Sequence, residues 1–343
     1  MTELSRRLAQ GPTQFVHSLD APRDMLLLIE LAEAELRGAS FLDQRLLTPG
    51  RWGRWLPFAD VAASLDPDAR DDAHYIFHIG HVGSTLIARL LGEMAGVLAL
   101  REPLLLRDLA AQVAQEGSVE AAWEPASLPD RTRSIRRLLA RTTRAGERAI
   151  IKATSFTSEI APRLVTGGAR AVLLFARPES YMTTILAGDN SRAELAAITL
   201  TRLPRLARRV EDMPHRLWSL DEGERVALGW ATEMLSLQAA ADALPAEAVL
   251  WVDFDAFLAD PADQLLRIAR HFGLDLAIED ATRLVAGPIM QRYSKAPEHG
   301  YSPALRAQLQ RQAAQAHGHA LGAGLRWIEA MRRAHPAIAR LPA

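Results

Sequence analysis

The sequence predicts an α/β protein: a central parallel sheet of about five strands with helices on both faces, a helical N-terminal extension and a helical C-terminal tail. Three observations carry this. Short, continuously apolar runs alternate with helical patterns, which is how strands buried on both faces read. The first of these runs ends in a glycine turn that opens straight into a helix, Tyr75-Ile76-Phe77-His78-Ile79-Gly80-His81-Val82-Gly83-Ser84-Thr85. Polar residues then follow the apolar runs one after another: His81, Glu102, Lys152, Arg177 and Asp253. Parallel sheets collect their ligands at the carboxyl ends of the strands, so this placement points to a site.

Composition sets the outer limits. A chain of 343 residues allows one large domain or two small ones, and 49% hydrophobic residues suffice for a full core. The net charge of −1 offers no electrostatic argument for a nucleic-acid or membrane partner. The absence of cysteine excludes a disulfide framework and a thiolate site. The first residues hold no continuous apolar segment and no run approaches spanning length, so the expectation is a cytoplasmic protein without an integral membrane segment. Nearly all basic residues are arginine. The only lysines are Lys152 and Lys295, and in a chain so biased they mark places where a compact ammonium matters.

Residues 1–70 read as a helical extension packed on a core domain of residues 71–343. In the extension, Pro22 to Leu36 fits a helix with proline in its first turn and Gly38 past its end. Trp52 and Trp55 follow in a loop, and Asp66-Pro67-Asp68 turns the chain into the first strand. Beyond the glycine turn, a second strand covers Val97 to Leu100, with helices over Leu104–Gln115 and Arg131–Arg144. A third strand, Ala149 to Ile151, runs into Lys152, and a helix covers Ser158 to Val165. The fourth, Ala171 to Ala176, runs into Arg177-Pro178, where proline suits the first turn of the next helix. Helices over Ser191–Val210 and Glu222–Ala243 precede the fifth strand, Ala248 to Val252. Pro261 to Phe272 is an amphipathic helix stopped by Gly273. The tail holds a polar loop, Arg292 to Tyr301, and two helices. The tryptophans at 52, 55, 230, 251 and 327 are expected in the core.

Strand, glycine turn and helix together aim successive backbone N–H groups at one point, where the helix dipole also favours an anion. Gly80 and Gly83 allow the curl, and Ser84 and Thr85 add hydroxyl donors. The lysine of a Walker A loop is missing. His78, two residues before the turn, is expected to point away into packing.

The turn resembles the 5′-phosphosulfate loop of sulfotransferases that use 3′-phosphoadenylyl sulfate (PAPS). In that family an aromatic-rich strand meets lysine, then Ser-Gly-Thr-Thr, then a helix. Here His81 takes the lysine place and Val82-Gly83-Ser84-Thr85 the rest. Ile150-Ile151-Lys152-Ala153-Thr154 looks like the strand-to-lysine segment of bacterial members. Leu173 to Thr184 resembles the 3′-phosphate motif, and Leu250 to Asp255 with Asp260-Pro261 to Leu274 is similar to the late strand and helix. The resemblance covers residues 74–274.

It departs in places. Arg177 adjoins Pro178 rather than standing two residues before it. The family serine falls on Thr184, with Ser180 a second candidate. Phe156 occupies a place held by histidine in many bacterial members. The Arg-Lys-Gly loop of cytosolic animal enzymes is absent, with Arg292-Tyr293-Ser294-Lys295 as a substitute.

The resemblance implies a P-loop NTPase-like three-layer sandwich and transfer of a sulfonyl group from PAPS to a hydroxyl or amine, leaving adenosine 3′,5′-bisphosphate (PAP), without a metal. Gly80, His81, Val82, Gly83, Ser84 and Thr85 would bind the cofactor's 5′ end; Arg177, Ser180, Thr184, Arg292 and Lys295 would take its 3′-phosphate. Glu102 would be the general base and Lys152 the cation at the transferring group, with His81 donating to the bridging oxygen or serving as base. The acceptor class stays open among small molecules, carbohydrates, lipids and peptides. Two other readings stand beside this one. One is a P-loop kinase using ATP and Mg²⁺, with Asp253 as its acid and no loop lysine to serve it. The other is a non-catalytic nucleotide-binding protein.

Overall fold

The computed structural model describes residues 3–9, 11–211, 213, 216–292, 300 and 302–342. Its central sheet has five parallel strands: β4 (His74–His78), β5 (Val97–Arg101), β6 (Arg148–Lys152), β7 (Ala171–Phe175) and β8 (Val249–Asp253). They lie in the order β5-β6-β4-β7-β8. All residues of β4, β5 and β7 are buried, as expected of apolar runs covered on two faces. From β4 the chain first builds toward β5 and β6, then crosses to β7 and β8. The carboxyl end of β4 is therefore the switch point, where a crevice opens.

The N-terminal part is not the helical extension its sequence suggests. It is a three-stranded antiparallel sheet, β1 (Gln14–Asp20), β2 (Met25–Glu30) and β3 (Gly53–Pro57), in that spatial order. Three short helices decorate it, α1 (Glu3–Ala9), α2 (Glu33–Gly38) and α3 (Phe58–Ala63). The apolar run Met25 to Ile29 fits a buried strand as well as a buried helix, and periodicity does not separate the two. Asp24, in the left-handed region at φ 55°, turns the chain back on itself between β1 and β2. Pro22 thus serves a turn rather than a helix start. Trp52 and Trp55 are also misplaced by the sequence reading, being 89% and 45% exposed on this sheet's outer edge. Trp230 and Trp327 are in the core as expected.

Beyond the N-terminal sheet most helices follow the sequence pattern, but the helix expected over Ser158–Val165 is a 3-10 stretch (Ser155–Ile160) with a single α turn, and four helices rather than two follow Gly273 among the described residues. The helices up to β8 are α4 (Ser84–Gly92), α5 (Leu104–Ala114), α6 (Leu128–Ala140), the single turn α7 (Ala161–Leu164), α8 (Pro178–Leu186), α9 (Asp189–Ala207) and α10 (Glu222–Asp242). Beyond β8 come α11 (Phe254–Ala259), α12 (Pro261–His271), α13 (Ile278–Ala286), α14 (Pro303–Ala316), α15 (Gly318–Ala334) and α16 (Pro336–Ala339). Asp221 caps α10 by accepting from the Glu224 N–H at 2.8 Å, and Asp260 caps α12. No helix among the described residues is long and apolar enough to cross a membrane.

The segment after β6 is tied to α9 and α10 by a buried ionic network. Glu159 accepts from Arg205 at 2.8 Å, from Arg209 and from Ser236 at 2.6 Å, and Glu233 accepts from Arg202 and Arg205 at 2.9 Å each. Burial works to raise the Glu159 pKa, but Arg209, Arg205 and Ser236 outweigh it and hold the group at about 2. Because that lies below the ordinary 4.5, its contribution to stability is complete above pH 4.5 and is lost as pH falls toward 2. Glu159→Gln should lower the unfolding free energy at pH 7 by about 2–3 kcal/mol, the low side for breaking a buried pair. Denaturant unfolding should show the gap to wild type closing as pH falls below 4.5.

Candidate active site

The turn after β4 departs from ordinary backbone at three of four positions. Gly80, His81 and Gly83 have φ of 85°, 55° and 66°. His78 holds it from below: its Nδ1 accepts from the Gly80 N–H at 2.9 Å, while Nε2, 2.7 Å from the Ala153 carbonyl, donates to it. So His78 is not idle packing but a brace between the turn and the end of β6. Phe254, on α11, closes the other side. A Cβ on Gly83 would stand 2.0 Å from its ring, so only glycine fits both the space and the φ.

Beyond the turn, Ser84 and Thr85 are buried at the N-terminus of α4, and Thr85 Oγ1 has no hydrogen-bond partner among the described residues. A buried hydroxyl without a partner costs free energy, and an anion seated at this helix end would satisfy it. The turn lines a cavity of about 370 Å³ together with Thr184, Ser191, Phe254, Arg306 and Gln310. His81 sits at its edge with Nδ1 3.4 Å from Ser191 Oγ.

Helix α14 supplies the opposite wall, and the sequence reading missed it. Arg306 pairs with Asp255 at 2.8 Å, donates to Ser180 Oγ at 2.9 Å and lies over the Phe254 ring at 5.3 Å. Gln310 donates to Ser180 Oγ at 3.2 Å and Thr184 Oγ1 at 3.1 Å. Ser180 and Thr184 are thus one helical turn apart on α8 and face α14 rather than Arg177. Arg177 is 65% exposed, donates to Asp253 at 3.2 Å and does not line the cavity. Asp253 is further engaged as the N-cap of α11, accepting from the Asp255 N–H at 2.9 Å. Arg292 is exposed and bridges to Gly300, while Lys295 lies outside the described residues.

Fold and site together set the context for comparison. The structural neighbours are sulfotransferases. The sulfotransferase domain of the curacin biosynthetic pathway is 11% identical, with a TM-score of 0.43 over 72% of this chain and 97% of that one. The sulfotransferase domain of the Synechococcus PCC 7002 olefin synthase is 15% identical, at 0.40 over 74% and 98%. A sulfotransferase from Mycobacterium avium is 14% identical, at 0.37 over 75% and 79%. No family model and no curated relative matches the sequence.

One strand away from the turn, Glu102 and Lys152 form an ion pair. Glu102 has φ 49°, and its N–H donates to the Lys152 carbonyl at 2.7 Å, which swings its side chain back over the end of β6. The Lys152 side chain is fully buried, 5.8 Å from the Phe41 ring, and the Glu102 side chain keeps 17% of its surface. Phe41 comes from the N-terminal part, as does Arg45, stacked on it at 3.5 Å. A hydrogen bond to Asp43 raises the Arg45 pKa, and the charges of Glu102 and Glu194 add to that. Arg45 thus adds a positive charge to the field around Glu102. Nothing in its local sequence signals this, because it arises only when the segment after α2 lies along β5, where the Leu42 N–H donates to the Arg101 carbonyl at 2.8 Å.

The turn itself yields the clearest test. Gly83→Ala should cost stability by about 1–3 kcal/mol through the left-handed φ and the clash with Phe254. Adding Phe254→Leu should recover part of the thermal stability, since it removes the clash and leaves only the backbone strain.

Proposed function

We propose that the protein is a sulfotransferase that moves the sulfonyl group of PAPS to a hydroxyl or amine of an acceptor. One observation carries the reading. A single cavity has an oxyanion cradle without lysine at one wall, with the buried Thr85 hydroxyl, and the Arg306 guanidinium with the Thr184 hydroxyl at the other, Ser180 lying behind it as a partner of Arg306. A nucleotide with phosphates at both its 5′ and 3′ positions needs two such walls, whereas γ-phosphate transfer leans on a Walker lysine that this turn lacks.

In this reading the N–H groups of residues 81–85 and the hydroxyls of Ser84 and Thr85 hold the 5′ end, while the Gly80 N–H stays bonded to His78. Arg306, with Ser180 and Thr184, takes the 3′-phosphate, a role for which a guanidinium's paired donors are suited. Bound PAPS supplies an activated sulfonyl group. Glu102 accepts the acceptor's proton, and Lys152, anchored beneath it, fixes the carboxylate in place. His81 donates at the turn.

Calorimetry with PAP and without metal should show binding to wild type, about ten- to a hundredfold weaker in Arg306→Gln, as expected for one charge-assisted contact. Glu102→Gln should keep PAP affinity and lower PAPS turnover in an acceptor screen by about 10²–10⁴. Binding of ATP with Mg²⁺ in place of PAP would sink the proposal in favour of a kinase. PAP binding with no turnover of PAPS by any acceptor would leave a nucleotide-binding protein.

A further inference from the structure

A second cavity, of about 360 Å³, lies along the outer face of edge strand β5, away from the glycine turn. It is lined by Arg37, Arg89, Arg101, Arg144, Glu93 and Glu147. Val97, Ala99 and Arg101 alternate onto this face of β5, and the C-terminal end of α4 covers it. The carboxylates do not balance the guanidiniums. Glu147 is buried and already accepts from Arg37, from Thr143 Oγ1 at 3.1 Å and from the Arg144 N–H at 3.1 Å. Arg37 and Arg144 also share Glu33, at 2.8 and 3.0 Å.

Arg101 is the unusual member. It is only 2% exposed and forms no ion pair among the described residues; it donates to the carbonyls of Ala39, at 2.6 Å, and Arg37. Bonded to neutral carbonyls, this buried guanidinium has its charge offset only by Glu93 at longer range, and Glu93 also serves Arg89. Burial and, to a smaller extent, the charge of Arg89 lower its pKa to about 10, against the opposing pull of Glu93. Gly92 leaves the approach open: a Cβ there would stand 3.2 Å from the Ala99 Cβ and 3.9 Å from Arg101 Nη1. A ligand that entered would meet Arg101 at the floor and Arg89 and Arg144 at the sides.

We infer that this cleft is a second anion site, built for a phosphoryl oxyanion and independent of the cavity at the glycine turn. A dianionic or larger phosphoryl group relieves the repulsion between Arg101 and Arg89, and the fork geometry of guanidiniums matches its oxygens. Its source is either a free inorganic anion or the phosphate end of a larger ester.

The test is a calorimetric titration with pyrophosphate at constant ionic strength, on wild type, Arg89→Gln, Arg144→Gln and Arg306→Gln. The expected result is saturable binding that survives Arg306→Gln and weakens at least tenfold in Arg89→Gln. Arg144 is exposed, so Arg144→Gln keeps the fold if Arg89→Gln does not, and should weaken binding several-fold. ADP titrated into Arg306→Gln identifies the source. Affinity equal to or above that of pyrophosphate assigns a phosphate ester, and lower affinity a free anion. No saturable binding to wild type overturns the inference. So does binding that Arg306→Gln abolishes and both cleft variants leave intact.

Discussion

The geometry of the candidate site depends on one backbone constraint, the left-handed run at the end of β4. Three positive φ values in four residues turn the strand into α4 within a few residues, and His81 adopts one of them without being glycine. A non-glycine residue there costs about 1–2 kcal/mol, so the surroundings must hold it. His78 bonds the turn to the end of β6, and Phe254 fills the hollow under Gly83. The turn is therefore not a free loop. It is clamped between the neighbouring strand on one side and the helix after β8 on the other, so both flanks of the sheet set its shape.

The same logic applies one strand away. Glu102 is the other non-glycine residue of the core domain, among those described, with a positive φ, and its N–H and carboxylate both return to Lys152. That places an acid and a cation at the end of β6, adjacent to the brace that His78 makes to Ala153. A buried ion pair adds little net stability against the desolvation of both charges. Its worth lies in position. Lys152 is fully buried between β5, β6 and Phe41, where a compact ammonium meets one carboxylate and the larger arginine fork would need partners for five donors. In a chain that uses arginine nearly everywhere else, this site gives lysine a physical reason.

How much of this was legible in the sequence follows from how local each signal is. The strands of the central sheet, the glycine turn and the placement of Glu102 and Lys152 at strand ends are local patterns, and they read correctly. The N-terminal sheet was not legible, because Met25 to Ile29 reveals itself as a strand only through partners at Gln14–Asp20 and Gly53–Pro57. The same limit hid Arg306 and Gln310. They lie on an unremarkable polar helix more than a hundred residues after α8, and only tertiary packing brings them onto Ser180 and Thr184.

Arg177 shows the converse. Its position before Pro178 is a sequence match, yet its side chain points outward to Asp253 while Arg306 occupies the cavity wall. Arg177 is the extended N-cap of α8, and along extended backbone successive side chains point to opposite sides, so a shift by one residue is enough to take it off the site. A guanidinium supplied from another element restores the charge where the hydroxyls of α8 already face. In the proposed site the motif's role passes to the arginine that tertiary packing brings to the cavity wall rather than to the one that the motif names.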